Sequence, residues 1–127
     1  MVSVLIIDEN ALICNRIKEK LNAHYEIFFA HNCQDALRIC MKQPVDLVLA
    51  TLDLPSHQLI DFLGILRDDY PETRVIGMSE QMVSKQHIES MIRVGSLGVN
   101  KVLMRPLAED ELHSAVDHEL ETMVSFV

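Results

Sequence analysis

Five short runs of almost unbroken apolar residues, each of strand length and each followed by a helical pattern, limit what this chain can fold into. They span residues 2–7, 25–30, 45–50, 75–78 and 99–104. A strand with one wet face alternates apolar and polar side chains, whereas a solid apolar run needs cover on both faces. Between the runs, apolar residues recur at helical spacing: Leu12, Ile13, Ile17 and Leu21; then Ala36, Leu37, Cys40 and Met41; then Leu59, Ile60, Phe62, Leu63 and Leu66. A fourth helix carries Ile88, Met91, Ile92 and Val94 and closes at Gly95, and a fifth carries Leu112, Val116, Leu120 and Met123. Asn32 is placed to cap the second helix, Pro44 to stop it, and Tyr70-Pro71 to end the third. Strands alternating with helices predict a doubly wound α/β domain with a parallel sheet covered on both faces.

The 127 residues fit one domain, 1–127, with 49% hydrophobic and 24% charged residues. A net charge of −8 argues against nucleic-acid binding and against an anionic membrane surface. No apolar run approaches the roughly 18 residues that span a bilayer, and no basic leader precedes the first strand. The three cysteines, Cys14, Cys33 and Cys40, read as reduced thiols of a cytoplasmic protein.

In this architecture ligands sit at the carboxyl ends of the strands, so the polar residues there matter most. They are Asp8 and Glu9, Thr51 and Asp53, Ser79, and Arg105-Pro106. In this order and spacing they resemble the receiver domains of bacterial response regulators, over essentially the whole chain. The motifs are Val4-Leu5-Ile6-Ile7-Asp8-Glu9, the third strand from Asp46 through Thr51 to Leu54-Pro55, Ser79, and the stretch from Gly98 to Arg105-Pro106. The resemblance implies a single flavodoxin-like (βα)5 domain with strand order 2-1-3-4-5, acting in two-component phosphorelay signalling.

In that family an aspartate ending the third strand accepts a phosphoryl group with Mg²⁺ bound by the acids, and a Ser/Thr and a lysine hold the phosphoryl oxygens. Counting back from Pro55 puts Thr51 at the acceptor position, a neutral hydroxyl with no partnered base visible in the sequence. Arg105 stands where the family has lysine and is placed to pair with Asp8 and Glu9 in the metal's place, with a surface role and a phosphate-ligand role as alternatives. Pro106 resembles the family's cis-proline, which shapes the loop. Asp8, Glu9 and the backbone of Asp53 would be the Mg²⁺ ligands, weakly if at all, and no other cofactor is expected. The expected function is therefore a phosphorylation-independent, non-enzymatic protein-binding module with a vestigial pocket. Two alternatives stay open: a working receiver phosphorylated at Asp53, and a nucleotide or flavin binder of the same fold.

The resemblance also implies a partner surface made by the fourth helix, fifth strand and fifth helix, with Met91, Val94, Lys101, Leu112 and Val116 as candidate contacts and a core position as the alternative for some of them. Val102 replaces the family's switching aromatic residue. Ala115 and Asp117 stand where one branch of the family has arginines, so a monomer or a different dimer is expected. The histidines form no ligand set: His24, His31 and His87 read as scattered surface residues, His57 as part of the loop after the third strand, and His113 and His118 as facing differently around one helix.

Overall fold

The computed structural model describes residues 2–21, 25–52, 56–79, 98–104 and 110–124. Its elements are β1 (Ser3–Ile7), α1 (Ala11–Leu21), β2 (Glu26–Ala30), α2 (Cys33–Lys42), β3 (Leu47–Thr51), α3 (Ser56–Asp69), β4 (Arg74–Ser79), β5 (Lys101–Met104) and α4 (Glu111–Val124). The five strands form one parallel sheet in the order β2-β1-β3-β4-β5, the doubly wound flavodoxin-like arrangement. α4 is the fifth helix expected from the sequence. The expected fourth helix, with Ile88, Met91, Ile92, Val94 and Gly95, lies outside the described residues, as do His24 and His87.

Alternate strand residues feed two cores. Val4, Ile6, Leu47, Leu49, Ile76 and Met78 pack with α1 and α4 on one face. Leu5, Ile7, Val48, Ala50 and Val75 pack with α2 and α3 on the other. Two wholly buried faces explain why the strands of the sheet centre are solid apolar runs. Asn32 caps α2 as expected, its side-chain oxygen accepting the Asp35 N–H at 2.8 Å. α2 stops at Lys42, before Pro44, and α3 at Asp69, before Tyr70-Pro71.

Helix faces differ from expectation at two positions. The inner stripe of α1 is Cys14, Ile17 and Leu21, and Leu12 is 67% exposed. The inner stripe of α2 is Cys33, Ala36 and Cys40, and Met41 is 69% exposed. Met41 lies about 100° around the helix from Cys40, and Leu12 lies about 140° or more from every residue of the α1 stripe, so both face water. Cys14, Cys33 and Cys40 are buried thiols, none of them in a disulfide. Burial pushes the Cys33 and Cys40 thiols up from 9.0 to about 11.

Leu112 and Val116 are fully buried against the sheet, so they are core residues and not partner contacts. Ala115 is likewise buried, whereas Lys101 is exposed and Val102 half-buried against the other core. Asp117 is engaged within the chain: the Tyr25 hydroxyl donates to its Oδ1, and His113 Nδ1 lies 3.0 Å from its Oδ2. These contacts tie α4 to the start of β2. His57 is an exposed residue of the first turn of α3 rather than of a loop, because that helix begins at Ser56.

Candidate functional site

The register of the sheet builds the site. Ile7 pairs with Ala50, so Asp8 and Thr51, the next residue on each chain, emerge side by side at the carboxyl ends of β1 and β3. Both are buried, at 4% and 5% exposure, and the Thr51 hydroxyl donates to Asp8 Oδ2 at 2.6 Å. The other carboxylate oxygen, Oδ1, accepts the Asn10 N–H at 2.8 Å. Charge-assisted bonds of this kind are shorter and stronger than neutral ones, and they hold the carboxylate in one orientation.

Thr51 pairs with Met78 and Ser79 with Met104, which sets Ser79 one step beyond Thr51 on the adjoining strand, fully buried. Glu9 is exposed. Arg105, Pro106 and Asp53 lie outside the described residues, and so does Pro55. The structure thus brings together Asp8 and Thr51, sets Ser79 on the neighbouring strand end, and leaves Glu9 toward solvent.

Three participants were not legible as site residues. Asn10 donates to Asp8 and, through its side-chain oxygen, accepts the Leu12 N–H at 2.9 Å, so one residue both clamps the acid and starts α1. His31 Nδ1 lies 3.3 Å from the Asp8 carbonyl oxygen, a distance at which the Nδ1–H tautomer donates. Cys14 Sγ approaches the same carbonyl at 3.7 Å. The parallel register places Ala30 beside Ile7, which brings His31, an exposed residue as expected, next to Asp8. The partner for Thr51 is also new: the sequence shows no base beside it, and Asp8 accepts its hydrogen bond. A carboxylate is far too weak a base to ionise an alcohol, so this bond orients the hydroxyl and leaves it protonated.

Leu52 continues the β3 path. Its N–H donates to Met78 O at 2.8 Å, and its buried side chain lies over Gly77. A Cβ at Gly77 would come within 2.9 Å of Leu52 Cδ2, so the glycine makes room for the residue that follows Thr51.

A family profile, the response regulator receiver domain, matches residues 4–117. The chain belongs to the response regulator receiver domain family. Receiver structures share its fold. A response regulator receiver domain protein from Clostridium thermocellum aligns with a TM-score of 0.85 at 20% identity, covering 100% of both chains. The signal receiver domain of an HD domain-containing protein from Pseudomonas fluorescens aligns at 0.82 with 26% identity, over 98% of this chain and 90% of that one. Among curated proteins, the receiver is similar to the transcriptional regulatory protein KdpE of Mycobacterium tuberculosis, 29% identical over 112 residues, 87% of this chain and 47% of that protein. It is also similar to the transcriptional regulatory protein MctR of Rhizobium johnstonii, 27% identical over 119 residues, 91% of this chain and 54% of that protein. The hydrogenase transcriptional regulatory protein HoxA of Cupriavidus necator is 22% identical, and the match covers 24% of its length. The chain therefore spans between about a quarter and about half of these relatives. Among the described residues, no helix is long and apolar enough to cross a membrane.

Proposed function

We propose that this receiver operates in two-component signalling as a protein-binding module that is not itself phosphorylated. The observation that carries the reading is the buried 2.6 Å bond from Thr51 to Asp8 at the position where the family's acceptor aspartate belongs. A protonated hydroxyl replaces a carboxylate nucleophile, and it occupies an oxygen of the acid that would otherwise face a metal ion. With one buried carboxylate already hydrogen-bonded at both oxygens and Glu9 exposed, the described donors suit a Mg²⁺ ion poorly, since Mg²⁺ binds through one or more carboxylates in near-octahedral geometry.

The same reading makes the domain non-enzymatic and cytoplasmic. It leaves the β5–α4 side, where Lys101 is exposed, as the surface for a protein partner, with the chain a monomer or a dimer of another kind. The test is intact-mass spectrometry after incubation with acetyl phosphate and Mg²⁺. The expected result is an unchanged mass for the natural sequence. An acid-labile gain of one phosphoryl group mapped to Asp53 overturns the proposal.

A further inference from the structure

The opposite end of the sheet carries a cavity of about 240 Å³ that the receiver chemistry does not use. It lies at the amino end of β4, between the last turn of α3 and the chain entering β5. Leu63, Leu66 and Tyr70 form an apolar wall, and Arg67 and Arg74 supply two cations. In a chain of net charge −8, no described lining residue is acidic. Asp68, Asp69 and Glu72 are exposed on the neighbouring turn and do not line the cavity.

Arg67 shares only its Nε with Asp68, at 3.3 Å, which leaves its terminal nitrogens for another acceptor. Arg74 is half-buried, and among the described residues no carboxylate pairs with it. A guanidinium withdrawn from water without a counter-ion favours an anion brought from outside, and its planar fork matches a carboxylate. The rim is braced: Asn100 accepts the Val75 N–H through its side-chain oxygen and donates its own N–H to Val75 O, each at 2.8 Å. The volume falls below the roughly 300–1,000 Å³ of sites for drug-sized ligands.

We propose that this cavity binds a small organic acid, its carboxylate held by Arg74 and Arg67 and its compact apolar body against Leu66 and Tyr70. The proposal stands independently of the reading of Thr51. The test is titration of the full chain with benzoate, benzamide and inorganic phosphate, followed by calorimetry and by backbone amide shifts. Benzoate is expected to bind with a dissociation constant of about 1 mM or tighter, and benzamide and phosphate each about tenfold more weakly. Benzoate shifts should concentrate at residues 66–75 and 98–100. Arg74→Gln or Arg67→Gln should weaken benzoate about tenfold, and Arg38→Gln, on α2, should not. The proposal is overturned if benzoate fails to saturate, if benzamide or phosphate binds as tightly, or if neither variant at Arg67 or Arg74 weakens it. If Arg74→Gln does not fold, Arg67→Gln and the comparison of the three probes decide the matter.

Discussion

At the carboxyl ends of the strands, Asp8 gives one carboxylate oxygen to Thr51 and the other to Asn10, whereas at the amino end of β4 Arg74 is half-buried with no described carboxylate beside it. Both are charged groups drawn partly or wholly out of water by the same sheet. The first is satisfied by the backbone turn and side chain that follow from strand register; the second faces a cavity. Removing a partner from the first should therefore cost stability, and removing the charge from the second should not.

The largest effect is expected from Thr51→Asp, which would set two carboxylates against each other. Two unit charges about 4 Å apart at an effective dielectric of about 20 repel by roughly 4 kcal/mol. Urea denaturation should show a marked loss of stability that Mg²⁺ partly restores, while the natural sequence responds little to Mg²⁺. A variant as stable as the natural chain without Mg²⁺ would show that Asp8 and Thr51 are not coupled. Thr51→Val keeps the shape and removes the donor, leaving Asp8 Oδ2 short of a bond. The expected cost is about 1.5–3 kcal/mol, the range for hydrogen bonds to charged groups, and a neutral result would break the contrast between the two ends.

Gly77→Ala probes the support under the same site. The added methyl group must displace Leu52, and overpacking of this kind costs about 1–3 kcal/mol. Amide shifts should spread from Leu52 to Thr51; confinement to β4 would mean that Leu52 yields without moving the site. The smallest effect is expected from Arg74→Gln, within about 0.5 kcal/mol of the natural chain. A loss above about 2 kcal/mol would mean the guanidinium has a structural partner, as removal of one member of a buried pair does.

The fold is legible because the strands of the sheet centre are buried on both faces: each apolar run of the sequence forms a strand, and the punctuation at Asn32, Pro44 and Pro71 marks real boundaries. Met41 sits beside the buried Cys40, and Leu12 beside the partly buried Ile13 at the far side of the stripe, so each extends the apolar pattern of a short helix without being buried. Leu112 and Val116 were offered as contacts although their spacing already marked them as core. At the site, motif spacing places Asp8 and Thr51 at neighbouring strand ends, but the bond between them shows only in the structure. The contribution of His31 depends on the offset between β1 and β2, which the residues themselves do not encode in any short pattern. The cavity at the other end was invisible for the same reason, since Arg67, Arg74 and Asn100 meet only once α3 has crossed over and β5 has paired.

Cys33 and Cys40 give the molecule a built-in reporter of opening. Alkylating reagents attack the thiolate, and both thiols stay protonated in the folded chain until the pH nears about 11, against 9.0 for an ordinary cysteine. Folding favours the neutral thiols, so their contribution to stability is complete below pH 9.0 and is lost as the pH rises through about 11. At pH values near 9.0, iodoacetamide therefore marks α2 chiefly when that helix leaves the sheet. The rate at which the two carbamidomethyl groups accumulate, one by one or together, distinguishes fraying of a single turn from departure of the whole helix.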